Sequence, residues 1–287
     1  MSPPRLHTAL ETRVRQRFGR LPGRHAVALE VAGERFGVNE EVLLPAASVI
    51  KLPLLVLALR AAERGTLDLD ERVTLSAEHA ATGSGVLQDL DLGLAPTWRD
   101  LVTLMIVVSD NLATNLVLAR LGVQAVNGAL PGVGMPSSRI EGPLQVGPAR
   151  QTPRQRAGHR AATTAGDVLR LLLAVDDGAL LGPEATEWAR ACLRAQRYRE
   201  AIPRLLTGEA DEADGLNVGN KGGWLAHARH DAGLLWCSDG SRLAALVVLT
   251  VEHPDARARL DHPATVATAR FARDVAQLAS AEAKRRG

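Results

Sequence analysis

The sequence predicts an α+β protein in which the two ends of the chain build one antiparallel sheet and the middle forms an all-helical lobe. Strand patterns occur only near the ends, the long middle is patterned as helix, and strands do not alternate with helices as they do in βαβ proteins. We expect a discontinuous sheet lobe with flanking helices (residues 1–43 and 212–287), a helical lobe (44–211), and an active site between them. The chain has 287 residues, 46% of them hydrophobic, which is enough for a core of this size.

The elements follow from the spacing of apolar residues between turn residues. Leu6, Leu10, Val14 and Phe18 recur at helical spacing and predict a first helix, and two short apolar runs around the turn at Gly33 predict a hairpin. The predicted helices of the middle cover residues 48–64, 97–108, 112–121, 164–175 and 184–194. After them we expect strands at 232–236 and 243–251, joined by a turn at 238–241, and a terminal helix at 263–283.

Charge and hydropathy exclude two classes of protein. The 34 basic residues nearly balance the 32 acidic ones, so the net charge of +2 does not indicate a nucleic-acid-binding protein. The longest apolar runs, 52–59 and 243–251, are far shorter than the ~20 residues of a membrane-spanning helix. The charged N-terminal stretch contains no signal peptide, so we expect a cytoplasmic monomer, or a periplasmic or secreted one if the chain is a processed form.

Cysteine and histidine spacing predicts neither a metal site nor a cofactor. Cys192 and Cys237 lack any CxxC spacing, and we favour two buried free thiols over a single bridge. His227 and His230 are the only close pair of histidines, and a structural role near strand turns is the simpler interpretation.

Three short motifs carry the candidate chemistry. Ser48 and Lys51 stand three residues apart where an apolar helix begins, so the lysine amine would lie near the serine hydroxyl and could act as its base. Ser109-Asp110-Asn111 supplies a second hydroxyl and an amide, and Lys221-Gly222-Gly223 supplies a cation beside backbone that a ligand can approach. Taken singly, each motif is also explained as a helix cap, a turn or an exposed lysine.

Together and in this order, the motifs resemble the set of the class A β-lactamases and penicillin-binding proteins. The resemblance extends to residues 44–54, which look like that family's nucleophile helix, and to residues 104–122, which look like its Ser-Asp-Asn helix. The order of elements matches from about residue 25 to the C-terminus. The resemblance therefore implies a β-lactamase-like fold.

The resemblance implies a role for each motif residue. Ser48 would be acylated, Lys51 would accept its proton, and Ser109 would relay a proton to the leaving nitrogen. Asn111 would hold the side-chain amide of the substrate, and Lys221 would bind the substrate carboxylate. The remaining candidates are Gly223 as a substrate-binding residue, the backbone N–H of Trp224 as an oxyanion donor with that of Ser48, and Arg229 and Arg242 as further carboxylate contacts.

The chain departs from the family at two places. Gly222 replaces the threonine or serine of the Lys-Thr-Gly motif and removes a hydroxyl. The family also carries Glu-x-x-Leu-Asn on a loop after the Ser-Asp-Asn helix, and its glutamate activates the water that releases the acyl group. Here Glu141 is the only acid between Arg139 and Thr163, and we expect it to lie a few residues early, as a surface carboxylate, so that deacylation is impaired.

Three functions stay open at this point. The protein is a class A-type β-lactamase, or a D,D-peptidase-like enzyme or esterase that penicillins trap, or a binding module that keeps the fold without turnover. The presence of both Ser48 and Lys51 argues against the binding module. The expected partner is a small molecule, a β-lactam or an acyl-peptide or ester.

Overall fold

The computed structural model describes residues 3–206 and 216–286, and it confirms the predicted α+β fold. Its main sheet is antiparallel, with the strand order β2-β1-β7-β6-β5. The strands of this sheet are β1 (Arg24–Val31), β2 (Glu34–Val38), β5 (Asn217–Leu225), β6 (Ala228–Trp236) and β7 (Arg242–Val251). A two-stranded ribbon pairs β3 (Leu44–Pro45), which precedes the helices of the middle of the chain, with β4 (Ala162–Thr163).

The central strands form the boundary between two apolar cores. Val27, Leu29, Leu246 and Val248 face a core shared with the terminal helices, whereas residues alternating with them face the core of the middle helices. Because both faces are covered, β7 is a continuous apolar run rather than an alternating one.

The helices have the following bounds. They are α1 (Pro3–Phe18), α2 (Lys51–Glu63), α3 (Trp98–Val107), α4 (Asn111–Leu121), α5 (Val123–Ala129), α6 (Pro153–Arg156), α7 (Ala165–Asp176), α8 (Pro183–Arg194) and α9 (Pro263–Arg286). Of these, α1 and α9 lie against each other, where Arg17 contacts the carboxylate of Asp274 through two hydrogen bonds of 2.7 and 2.9 Å. No helix in the described part of the chain could span a membrane.

The prediction missed β5 and shortened β6. Residues 217–225 contain three glycines and several polar side chains, so the pattern resembled a turn. The strand forms because its backbone pairs with β6 along nine register positions, from Asn217 with Trp236 to Leu225 with Ala228. Tertiary pairing therefore overrides a weak local preference.

The described residues differ from expectation in smaller ways too. The predicted helix at 48–64 begins as a 3-10 turn over Ala47–Ile50, and the regular helix starts at Lys51. The expected lobe boundary at 211/212 lies outside the described residues, so the division into lobes stays a prediction. Cys192 and Cys237 are both free thiols, the first buried and the second half-buried.

Candidate active site

The candidate nucleophile lies on a strained turn between the two cores. Ala47 adopts a left-handed conformation with φ of +46°, which is uncommon for a residue other than glycine, and Ser48 follows it, half-buried, in the 3-10 turn. The N-terminal side of this turn is held in place, because the Ala46 N–H donates to the Ala161 carbonyl at 2.8 Å. Backbone strain of this kind persists only where surrounding contacts enforce it.

Strand β5 approaches this turn so closely that only glycine fits at position 223. A Cβ built on Gly223 would lie 2.9 Å from the Ser48 nitrogen and 3.1 Å from the Ala47 Cβ. At Gly222 the nearest atom would be 3.7 Å away, which is ordinary contact. The glycine that departs from the family motif is therefore not required by space, whereas the next glycine is.

This contrast gives a matched pair of variants. We expect Gly223→Ala to displace the turn and lower the rate of Ser48 acylation about 10²-fold, because misplacement near 1 Å has such effects. Gly222→Ala should stay within a few-fold of the parent. Acylation rates measured with a chromogenic penicillin would check both, and equal rates for the two variants would contradict the steric argument.

Lys51 stands three residues after Ser48, at the start of α2, and is fully buried. Its amine contacts the Ser109 carbonyl at 2.6 Å, the Ser109 hydroxyl at 3.0 Å and the Asn111 Oδ1 at 2.8 Å. Burial, and after it the neighbouring cation of Lys221, lower the pKa of Lys51 well below the usual value for lysine. A lysine that gives up its proton readily can serve as a general base.

Ser109 is held between two lysines. Its hydroxyl lies 3.0 Å from the Lys51 amine and 3.0 Å from the Lys221 amine. Its backbone is left-handed, with φ of +54°, and its carbonyl accepts from Lys51 and from the Ser84 hydroxyl at 2.8 Å. These contacts aim the hydroxyl at the cleft, where it could pass a proton.

The other two residues of this motif serve the position of Ser109. Asp110 caps α4 by accepting from the Ala113 N–H at 2.9 Å, and its other oxygen accepts from the Val86 and Leu87 N–H groups at 2.7 and 2.9 Å. The Asn111 amide nitrogen donates to the Thr82 carbonyl at 2.8 Å. An amide nitrogen carries two protons, so one is left for a substrate carbonyl.

Lys221, on β5, is the second buried cation. Besides Ser109, its amine contacts the Gly222 carbonyl at 2.7 Å. Burial lowers the pKa of Lys221 to about 7, and Asp231 opposes this shift. Asp231, which sequence reasoning missed, is buried as well, accepts from Asn220 and from two backbone N–H groups, and has a pKa raised by burial to about 6.

His230 ties the sheet to the chain just before the nucleophile. Its Nε2 contacts the Pro45 carbonyl at 2.8 Å, and its Nδ1 accepts from the Thr250 N–H at 3.1 Å, which fits a neutral ring that donates only through Nε2. Burial lowers the pKa of His230 to about 4, so the ring is neutral at ordinary pH. Sequence reasoning treated this histidine as structural without finding its partners.

We expect His230→Leu to destabilise the protein by about 2–5 kcal/mol, because it leaves a buried N–H and a buried carbonyl without partners. His230→Gln, which can still donate and accept, should cost less. In the parent, the neutral His230 ring contributes to the free energy of unfolding. Because the pKa of His230 is lowered by folding, this stabilisation is complete above pH 6.5 and is lost as the pH falls through about 4. Urea unfolding at pH 7 and pH 4 would check this, and equal stabilities of the two variants would contradict it.

Some of these residues border a cleft of about 520 Å³. Ser48, Ser109, Asn111, Gly223 and Trp224 line it. Residues from the loop that follows α5 supply much of the rest of its lining. The Trp224 side chain is 41% exposed and lies beside Tyr198, the only tyrosine of the chain, with ring centroids 5.6 Å apart. That aromatic pair was not predicted, because Tyr198 belongs to none of the motifs.

Glu141 lines the cleft too, and the expectation that it is a surface carboxylate was wrong. It is buried, and its carboxylate is held by Arg154 at 2.5 and 3.0 Å and by Arg139 at 3.2 Å. The hydrogen bonds from Arg154 hold the pKa of Glu141 below its usual value. Glu141 stands three residues before Leu144, which is the spacing of the family's Glu-x-x-Leu motif. The motif spacing therefore does not support the expectation that Glu141 lies a few residues early. Its carboxylate is nevertheless ion-paired rather than free.

The structure does not bring either arginine candidate to the cleft as a free cation. Arg229 is buried, and its guanidinium donates to the carbonyls of Leu225, Ala228 and Arg257 at 2.6–2.8 Å. Arg242 lies at the start of β7 and pairs with three carboxylates. Its partners are Glu30, Asp176 and Asp177, at 3.1, 2.6 and 2.6 Å. Both arginines have structural partners in the described chain.

A serine on a strained turn, two buried lysines and a second serine lie where the main sheet meets the helices of the middle of the chain, an arrangement of the kind that active-site serine hydrolases use. The chain belongs to the Beta-lactamase enzyme family, whose model matches residues 7–279. The resemblance found in the sequence is thereby confirmed, and with it the β-lactamase-like fold. No group of three metal-binding side chains occurs within residues 3–206 and 216–286.

Solved structures support the same assignment. The beta-lactamase from Sphaerobacter thermophilus is 28% identical, with 95% of this chain and 97% of that chain covered at a TM-score of 0.82. PBP-A is 25% identical over 94% of this chain and 95% of its own, at 0.79. A beta lactamase from Xanthomonas campestris, 20% identical over 95% and 98%, shares the fold at 0.80. A search of curated proteins finds no significant match.

Proposed function

We propose that this protein is a class A β-lactamase-like serine hydrolase that forms an acyl-enzyme at Ser48 with β-lactams or related amides and esters, and that releases the acyl group slowly. The observation that carries the proposal is the pair of buried lysines, each 3.0 Å from the hydroxyl of Ser109, which lines the same cleft as Ser48. Two desolvated amines at one hydroxyl are costly to a fold, and they are useful where protons are transferred.

In this proposal, acylation begins when the neutral Lys51 amine takes the proton of Ser48. The Ser48 oxygen then bonds to the substrate carbonyl carbon, whose oxygen would accept from the Ser48 and Trp224 N–H groups. As the C–N bond breaks, Ser109 gives its proton to the leaving nitrogen and regains one from Lys51. Lys221 binds the substrate carboxylate, and Asn111 holds the acyl-side amide.

Deacylation needs a water and a base, and the loop offers no free carboxylate for that role. Glu141 is the only acid there, and it is shared by two arginines. General-base catalysis is worth roughly 10²–10⁴ in rate, so its loss would let the acyl-enzyme accumulate. The same reasoning favours a penicillin-trapping peptidase or esterase as the alternative function, since PBP-A is among the relatives.

Three substrates would separate these functions. Turnover of a penicillin, of a peptide ending in D-alanyl-D-alanine, and of an activated ester is measured for the parent and for Ser48→Ala. Ser48-dependent turnover of the penicillin above the other two supports a β-lactamase, and turnover of the peptide or ester with stoichiometric penicillin trapping supports the alternative. Binding without any Ser48-dependent turnover or adduct would contradict both.

The charge of Lys221 predicts a pH dependence. Since burial lowers the pKa of Lys221 to about 7, the free enzyme loses this cation as the pH rises above 7. The second-order rate constant for acylation by a penicillin, whose carboxylate Lys221 would bind, should then fall. The penicillin methyl ester has no carboxylate to bind and should not show this decline. If the acylation rate constants of the acid and of the ester fell equally above pH 7, the role of Lys221 would be contradicted.

A further inference from the structure

The loop that forms one wall of the cleft is strongly basic. Residues 139–163 contain five arginines and one glutamate, a net charge of +4 where the whole chain has +2. The arginines are Arg139, Arg150, Arg154, Arg156 and Arg160. A concentration of one sign of charge beside a cleft attracts ligands of the opposite sign.

The single acid of this loop does not neutralise it. Glu141 is shared by Arg139 and Arg154. Within the described ranges, the other three arginines have no carboxylate within ion-pair distance. Arg150 donates to the Ala80 carbonyl, Arg156 to Gln151, and Arg160 to the carbonyls of Gln155 and His159 at 3.0 Å.

Of these three, only Arg160 lines the cleft. Its position is fixed relative to the nucleophile, because the next residue, Ala161, accepts from the Ala46 N–H two residues before Ser48. The charged residues of the described cleft wall are Glu141 and Arg160, and Glu141 is already paired. Arg160 is thus the charge in this wall that a ligand can still neutralise.

The neighbours of the loop indicate which part of a substrate would meet Arg160. A Cβ on Gly83 would lie 2.9 Å from the Asn111 amide nitrogen and 3.6 Å from Gln145 of the loop, so Asn111 and the loop are on the same side of the cleft. Asn111 is the proposed contact of the acyl-side amide, whereas Lys221 is on β5. The loop therefore borders the acyl side.

We propose that Arg160 forms an anion subsite for a second carboxylate, carried on the acyl side of the substrate. The preferred substrates are then dianionic amides, with one carboxylate at Lys221 and another at Arg160. The orientation of the substrate rests on the proposed function, whereas the binding of the second anion does not require acylation.

The test compares two penicillins that differ by one group: one with a phenylacetyl side chain and one with an added carboxylate on the α-carbon of that side chain. Their dissociation constants are measured by calorimetry with Ser48→Ala, in which no acylation occurs, at low and at high salt. We expect the dianion to bind about tenfold more tightly at low salt, equal to about 1.4 kcal/mol, and less so at high salt.

Two variants in the Ser48→Ala background locate the effect. Arg160→Gln should abolish the preference, and Arg156→Gln, an exposed arginine of the same loop that does not line the cleft, should keep it. Equal affinities for the two penicillins, a preference unchanged in Arg160→Gln, or no binding of either penicillin would overturn the subsite. Failure of the proposed function is a separate result: the parent would then form no covalent adduct, even if the dianion binds more tightly.

Discussion

Lys51→Met is expected to slow acylation of Ser48 by about 10²–10⁴-fold, because it removes the group that takes the serine proton. The lysine amine is fully buried and contacts Ser109 twice and Asn111 once, so its contribution is made inside the site rather than at long range. The measurement is the pre-steady-state rate of adduct formation with a chromogenic penicillin.

A second variant separates a base from a cation. Lys51→Arg keeps a positive charge, but guanidinium does not give up its proton in proteins. We expect Lys51→Arg to be as slow as Lys51→Met, provided that circular dichroism shows both variants folded. An arginine variant that acylates at the parental rate would contradict the role of Lys51 as the base.

Leu144→Glu is expected to shorten the lifetime of the acyl-enzyme by about 10²-fold or more, since it adds a carboxylate that can activate water. Leu144 lines the cleft, and Asn115 clamps its backbone through hydrogen bonds of 2.7 and 2.9 Å to the Leu144 N–H and carbonyl. The backbone at this position is therefore fixed against α4, and the residue lines the same cleft as Ser48. Leu144→Gln, of the same size and without a base, should leave the lifetime nearly unchanged.

Glu141→Gln tests the opposite possibility, that the native loop already has its base. Because two arginines hold this carboxylate, we expect the lifetime of the acyl-enzyme to change by less than a few-fold. A lifetime that lengthens 10²-fold would make Glu141 the deacylation base and would contradict the proposed cause of slow release.

Lys51, Ser109 and Lys221 lie together in the structure, and part of this arrangement could be predicted because each motif is local in the sequence. A serine and a lysine three residues apart at a helix start can face each other only in a few ways, and the Ser-Asp-Asn turn caps the next helix through Asp110. The family resemblance then fixed the order of strands around these helices. None of this required knowledge of contacts between distant residues.

The surroundings of the site could not be predicted, because they depend on tertiary contacts. Strand β5 exists through pairing with β6, and Gly223 is required by the turn that it approaches. Glu141 is polar and lies in a loop, so its burial follows only once Arg139 and Arg154 are seen to surround it. The sequence around Arg242 likewise did not indicate that its side chain pairs with three carboxylates and does not line the cleft.

The central claim is that Ser48 becomes acylated and that release is the slow step. Intact-protein mass spectrometry, followed from seconds to hours after mixing with a penicillin, tests it most directly. We predict an adduct of one penicillin per chain that persists for many minutes and is absent in Ser48→Ala. No adduct at any time, or an adduct that also forms in Ser48→Ala, would contradict the account.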